Sequence, residues 1–255
     1  MKVLLSPAKS IDVKGINRVY QSSVPAFLKE THTLVSKLKK MDPVKLGKLM
    51  HISSDLAELN VQRYKDWQDP IVQQEEIVPS ILAFSGEVYR GMDARTFNDA
   101  ELEWANDHLR ILSGLYGILK PLDLMYPYRL EMGTKWEVSP KARNLYQFWG
   151  KKLALYLNDE LKKGEVIVNL ASTEYFKAVD KKTLKARVIT PVFKEFKNGE
   201  FKVVMMYAKH ARGAMARYIV TNRVEESDEL KLYTVEGYEF DEKQSTADEW
   251  VFVRG

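Results

Sequence analysis

The 255-residue sequence contains no cysteine. This absence excludes disulfide bonds, thiolate-ligated zinc or iron–sulfur sites and a cysteine nucleophile. No two of the four histidines share a spacing typical of metal ligands, so we expect no metal site and no cofactor. These histidines are His32, His51, His108 and His210.

Long apolar segments are also missing. No run approaches the roughly 18 residues that a membrane span needs, and the first apolar stretch, residues 3–5, is too short for a secretory signal. Hydrophobic residues make up 45% of the chain and aromatic residues 11%, which is typical of a globular protein rather than a disordered one. We therefore expect a cytoplasmic protein that binds no membrane.

The sequence has no internal repeat, low-complexity tract or flexible linker, so we predict one domain over residues 1–255. Apolar runs predict strands at 2–5, 80–84, 110–112 and 165–170. Helical spacing predicts helices within 25–39, from 42, from 53, at 98–109 and at 144–163. Alternating strands and helices indicate an α/β fold, with a mixed β-sheet covered by helices.

The C-terminal third adds a β-hairpin to this fold. Two β-rich runs, 188–196 and 201–207, are joined through Asn198-Gly199, and Asn-Gly between such runs is the strongest short-range hairpin signal. A helix is predicted at 209–223, followed by short strands near 233, 238–240 and 250–253.

Positive charge is concentrated in one segment. Residues 201–224 contain five lysines or arginines and no acid, whereas residues 225–249 contain ten acids and two lysines. A helix would gather Lys209, Arg212, Arg217 and Arg223 on one arc. Such an arc repels itself unless an anion lies against it, which favours a phosphate of nucleic acid. An ordinary solvated face is the alternative.

Two central segments are further candidates for a functional site. Gly114 and Gly117 follow Ser113 in a turn whose backbone N–H groups could hold a phosphate, with Lys120 nearby; a plain turn is at least as good an interpretation. Residues 126–133 are dense in groups that pair, stack and titrate, as functional loops often are. An Arg129–Glu131 ion pair that pins a loop is the alternative there.

Ser6 and Lys9 form a fourth candidate. On one helical turn they would meet as a serine–lysine nucleophile pair does. The favoured interpretation is that Ser6 caps a helix. The N–H groups of that helix start and Lys9 would still form an anion site.

Several motifs follow one another along the whole chain. They are the segments 6–9 with 11–12, 112–133, 145–150, 169–172, 174–177, 208–217 and 237–242. In these motifs the chain resembles the YaaA family of peroxide stress proteins. The resemblance implies a cytoplasmic, DNA-binding α/β protein with a positively charged cleft and a helix-hairpin-helix-like element, for which residues 113–117 are the candidate. It also implies a role in limiting intracellular free iron.

Two functions of different classes follow. The first is binding of double-stranded or damaged DNA with little sequence specificity. Its expected phosphate contacts are Lys9, Ser113, Gly114, Gly117, Lys120, Arg129, Lys177, Lys209, Arg212, Arg217 and Arg223. The second is an enzyme acting on a nucleobase or nucleotide in a pocket at the carboxyl ends of strands, with Glu131 as general acid or base and Arg129 as anion clamp. Its pocket would be lined by Ser6, Lys9, Tyr128, Arg129, Glu131 and Tyr175.

Overall fold

The computed structural model describes residues 1–16, 20–72 and 74–255. Eight strands form one mixed sheet in the order β11-β12-β9-β8-β1-β5-β6, with β10 paired to β9. Their bounds are β1 (Lys2–Leu5), β5 (Leu109–Ser113), β6 (Gly117–Leu119), β8 (Ile167–Asn169), β9 (Val188–Lys197), β10 (Glu200–Lys202), β11 (Glu239–Asp241) and β12 (Glu249–Arg254).

The centre of this sheet is parallel, and its antiparallel strands are β6, β10 and β11. Two small antiparallel pairs lie outside it. They are β2 (Ser10–Ile11) with β4 (Phe84–Ser85), and β3 (Val78–Pro79) with β7 (Leu124–Met125).

Helices flank the sheet, as the alternating pattern predicts. They are α1 (Leu28–Leu38), α2 (Pro43–Met50), α3 (Ser54–Asp66), α4 (Ser80–Ala83), α5 (Glu87–Met92), α6 (Asp99–His108), α7 (Leu145–Trp149), α8 (Lys152–Glu160), α9 (Thr173–Phe176) and α10 (Met205–Thr221). Short 3₁₀ turns lie at Ala94–Thr96, Ser227–Leu232 and Val235–Gly237. None of the helices in the described part of the chain is long and apolar enough to cross a membrane.

Local sequence signals explain several element boundaries. The Asp42 carboxylate accepts from the Lys45 N–H and caps α2, and Asn98 and Glu101 form a capping box at α6. The hairpin between β9 and β10 is confirmed. Its turn residues Asn198 and Gly199 have positive φ angles of 56° and 83°, which this tight turn requires.

Four expectations about elements are wrong. The apolar run predicted as a strand at 80–84 is largely helix α4, because a short apolar run has no period that separates the two. The helix predicted at 144–163 is divided at Gly150, whose φ of +50° and ψ of −122° end α7. The strand expected at 201–207 stops at Lys202, so α10 begins at Met205 rather than at 209. Tyr233 follows a 3₁₀ turn instead of lying in a strand.

The helix-hairpin-helix-like element is not confirmed. Its candidate segment, residues 113–117, connects the antiparallel strands β5 and β6 rather than two helices. The two glycines serve packing: a Cβ at Gly114 would overlap the carbonyl oxygen of Leu130, and one at Gly117 would press into the Trp149 ring.

Helices α5 and α10 cross in close contact. A Cβ at Gly213 would overlap the Val88 carbonyl oxygen, and a Cβ at Gly91 would overlap that of His210. Glycine at both positions lets the two backbones touch. This crossing fixes α10 against α5, and both helices contribute residues to the site described next.

Candidate functional site

The site lies where the chain changes direction across the sheet. Strands β1 and β8 are parallel neighbours. After β1 the chain first forms β5, on the opposite side of β1, and it reaches β8 only after residue 166. Ser6 follows β1, and Ser172 comes three residues after β8 ends. Open α/β sheets hold ligands at the carboxyl ends of strands at such a switch point.

A cleft of about 600 Å³ opens at this point. Five separate segments line it, within residues 6–10, 85–89, 131, 170–175 and 205–212. Three cations and two carboxylates are among its lining side chains, together with an apolar and aromatic wall. The charged residues are Lys9, Lys209, Arg212, Glu131 and Glu174, and the wall contains Val88, Tyr89, Leu170, Tyr175 and Met205.

Ser6 connects the segments that follow β1 and β8. Its Oγ accepts from the Ser172 N–H at 2.8 Å and lies 3.2 Å from the Ser172 Oγ. The Tyr89 hydroxyl donates to the Ser6 carbonyl at 3.0 Å. No helix begins here, so Ser6 neither caps a helix nor shares a helical turn with Lys9, and both of those expectations are wrong.

Glu131 lies between two cations. Its carboxylate is 2.7 Å from Lys9 Nζ and 3.4 Å from Arg129 Nη2, and its side chain is 25% exposed. The alternative of an Arg129–Glu131 pair is therefore seen in the structure. Arg129 contacts Glu131 but does not line the cleft. Of these three residues, Lys9 and Glu131 are the ones that line it.

One face of α10 supplies the other two cations. Met205, Lys209 and Arg212 follow a spacing of four and three residues, which places them on one side of a helix. Among the described residues, neither Lys209 nor Arg212 has an ion-pair or hydrogen-bond partner. Burial lowers the pKa of Arg212. The cleft therefore presents two unpaired cations, one of them partly desolvated.

Arg217 and Arg223 do not belong to this face. The Arg217 guanidinium donates to the carbonyl oxygens of Met92 and Asp93 at 3.0 and 3.1 Å and lies over the Phe97 ring. It thus binds the last carbonyls of α5. Arg223 is exposed beyond the end of α10. The single basic arc predicted from 209 to 223 is wrong, because the helix divides its cations between two neighbourhoods.

The other expected phosphate contacts lie elsewhere. Ser113 is fully buried and hydrogen-bonded to the Tyr128 hydroxyl at 2.6 Å, so the expected exposure of this turn is wrong. Lys120 lies 3.6 Å from Glu160. Lys177 is exposed above the Tyr146 ring. Gly114, Gly117 and Tyr128 are buried with Ser113, and none of these residues lines the cleft.

Some residues of the cleft escaped the sequence analysis. Ser85 and Gly86 precede α5, and Tyr89 lies on it. The sequence predicted a strand at 80–84, just before them, but no functional residue in this region. Ser172 and Glu174 lie inside the motifs of the family resemblance, so a signal for them existed. Burial raises the pKa of both Tyr89 and Tyr175 well above the ordinary value, and both phenols stay protonated at neutral pH.

Comparison with known proteins assigns the family. The model of the family described as peroxide stress protein YaaA matches residues 1–244. A UPF0246 protein of Marinomonas sp. is 48% identical over 254 residues, covering 100% of this chain and 97% of the relative. UPF0246 proteins of Ralstonia pickettii and Aliivibrio fischeri are 47% and 46% identical over 256 residues, covering all of this chain and 99% and 98% of theirs. The chain therefore belongs to the YaaA family of peroxide stress proteins.

Proposed function

We propose that this protein binds DNA in the peroxide stress response, with the phosphate backbone held by the cations of the cleft. The observation that carries the proposal is the pair Lys209 and Arg212, which face the cleft without a carboxylate partner among the described residues. Phosphate oxygens are the acceptors that lysine and arginine bind in DNA complexes. Lys9 also lines the cleft and supplies a third cation when a phosphate replaces Glu131 as its partner.

Binding of this kind depends on charge rather than sequence. Each phosphate contact releases condensed counterions, so log affinity falls with log salt by about 0.9 per contact on duplex DNA. Three cleft cations therefore give a slope of about −3. Phosphate contacts position a protein without identifying bases, so two unrelated duplexes should bind alike.

The test is fluorescence anisotropy of two unrelated labelled duplexes across a salt series. Arg212→Ala should weaken both complexes and reduce the slope by about one. The matched control is Arg217→Ala, which removes the same charge from the same helix but from a side chain that binds α5. The control should keep the slope of the unmodified protein.

Three results would contradict the proposal. They are an affinity that does not change with salt, a strong preference for one of two arbitrary sequences, and an equal loss of slope in both arginine variants. The last result would show that binding does not distinguish the cleft face of α10 from the rest of the helix, since Arg217 does not line the cleft.

The family resemblance also implies a role in limiting intracellular free iron, and we propose that role for this chain on that ground alone. Electron paramagnetic resonance of peroxide-treated cells measures chelatable iron directly. Cells that carry Arg212→Ala in place of the unmodified protein should accumulate more of it if DNA binding and iron limitation depend on the same cleft. Equal iron levels would separate the two roles.

A further inference from the structure

The shape of the cleft restricts what can enter it. Its volume of about 600 Å³ falls within the range of small-molecule sites, roughly 300–1,000 Å³. A B-DNA duplex is too large for such a site, since its major groove alone is about 12 Å wide, so a duplex can lie across the mouth of the cleft but cannot enter it.

The lining of the cleft is divided into two parts. Lys209 and Arg212 lie along one helix face and present positive charge that no residue in the described part of the chain pairs with. Val88, Tyr89 and Tyr175 form an apolar wall, in which the two tyrosines are 6% and 9% exposed. Phosphate binding by itself needs only cations and N–H groups, so the apolar wall beside them is a second and chemically different feature of the lining.

The carboxylates add a third element. Glu131 and Glu174 also line the cleft. Glu131 accepts from two cations, and Glu174 accepts from the Gly133 N–H at 2.8 Å. Carboxylates repel the phosphates of a DNA backbone, but they accept hydrogen bonds from the amino groups of nucleobases. Their presence points to a ligand that is anionic at one end and carries N–H donors at the other.

We propose that the cleft binds one nucleotide unit, with its phosphate on Lys209 and Arg212 and its base against the wall formed by Val88, Tyr89 and Tyr175. This deepens the proposed function and rests on the same phosphate contacts. The unit comes either from a free nucleoside monophosphate or from a nucleotide turned out of a DNA strand. Turning a base out of a duplex costs a few kcal/mol, and least where the base is damaged or unpaired.

The first arm of the test uses free ligands. Isothermal titration with the four common nucleoside 5′-monophosphates should show binding, and inorganic phosphate should bind about tenfold more weakly because it lacks the base contact. The second arm uses a duplex with a single 2-aminopurine at a mismatch. Its fluorescence should rise on binding if the nucleotide leaves the base stack.

A variant that fills the cleft without removing a cation gives the control. Thr173 is exposed and lines the cleft, so Thr173→Trp should abolish nucleotide binding and the fluorescence rise. Thr33 is exposed on α1, away from the cleft, and Thr33→Trp should change neither. A normal unfolding transition in both variants shows that they are folded.

The outcomes separate the two proposals. Salt-dependent duplex binding with no fluorescence rise and no nucleotide binding overturns the single-nucleotide site and leaves DNA binding intact. Nucleotide binding without duplex binding overturns the DNA proposal and supports a site for free nucleotides. A fluorescence rise that survives Thr173→Trp also overturns the inference, because the base would then enter another part of the molecule.

Discussion

The two sides of α10 carry basic side chains in opposite situations. On the cleft side, Lys209 and Arg212 have no partner among the described residues. On the other sides, His210 lies 2.8 Å from Glu236, and Arg217 binds the last carbonyls of α5. A stretch of basic sequence therefore contains both structural and available cations. Only the neighbours in three dimensions tell them apart.

The strongest way to break this comparison is to separate α10 from α5. In Gly213→Ala the new Cβ would overlap the Val88 carbonyl oxygen, which is backbone and cannot rotate away. We expect a loss of about 3 kcal/mol in the free energy of unfolding, measured with urea. The control is Gly47→Ala in α2, where the Cβ meets its nearest neighbours at 3.5 Å.

Gly47→Ala should leave stability unchanged or raise it by about 0.5–1 kcal/mol, because alanine is the better helix former. Equal stability of the Gly213→Ala variant and the unmodified protein would show that the helix crossing tolerates a side chain.

Two carboxylates differ in a similar way. Glu131 has two cationic neighbours, whereas the hydrogen bonds to Asp123 come from neutral donors. Ser23 Oγ donates to Asp123 at 2.6 Å and the Lys120 N–H at 2.8 Å. Burial raises the pKa of Asp123 to about 6, above its unfolded value of about 3.9. The protonated carboxyl group of Asp123 therefore stabilises the folded state fully below pH 4, and this stabilisation is lost as the pH rises through 6.

This change amounts to about 2–3 kcal/mol. Urea unfolding between pH 4 and pH 7 measures it as the stability difference between the unmodified protein and Asp123→Asn, which should shrink by that amount as pH rises. A difference that is constant across this range would contradict the raised pKa.

A direct comparison of the two arginines gives a smaller effect. Arg217→Ala removes a charged donor from carbonyl oxygens at the end of α5 and should cost about 1–2 kcal/mol of unfolding free energy. Arg212→Ala removes a partly desolvated charge that has no partner within residues 1–16, 20–72 and 74–255, and it should change stability by less than about 0.5 kcal/mol. Thermal or urea unfolding of both variants measures the two changes in unfolding free energy. If Arg212→Ala is the less stable of the two, the division between the helix faces is wrong.

The smallest expected effect concerns Lys9, whose side chain is 63% exposed in its pair with Glu131. Exposed ion pairs contribute about 0–1 kcal/mol, so Lys9→Ala should lower the unfolding free energy by less than about 1 kcal/mol. Lys209→Ala should not lower it at all, because that lysine has no partner to lose among the residues that the structure describes. A clear destabilisation by Lys209→Ala would reveal a structural role for its charge.

Local sequence signals predicted most of the fold. Strand β1, the helix starts at 42 and 98 and the hairpin turn at Asn198-Gly199 depend on neighbouring residues, and each is where the sequence placed it. Gly150 lies within an apolar stripe that continues on both sides, so the helical spacing of apolar residues gave no sign of the break between α7 and α8. The run at 80–84 was too short to carry a period.

The site was predictable only in part. Lys9, Glu131, Lys209 and Arg212 stood out as charged residues within motifs, and all four line the cleft. Ser113 and Gly117 stood out equally but are packed inside. Whether a glycine exposes backbone or lets another chain segment approach depends on residues such as Trp149, more than thirty positions away. That information is tertiary and is absent from local spacing.

The bond between Ser6 and Ser172 spans 166 positions of the chain, and this has a consequence for how the protein is made. Contacts between distant positions form late and slow folding. The cleft needs this bond, the residues that follow β8 and the face of α10, so a growing chain has no ligand site until more than four fifths of it has been synthesised. Any ligand that stabilises the cleft acts on the last stage of folding and cannot speed the first.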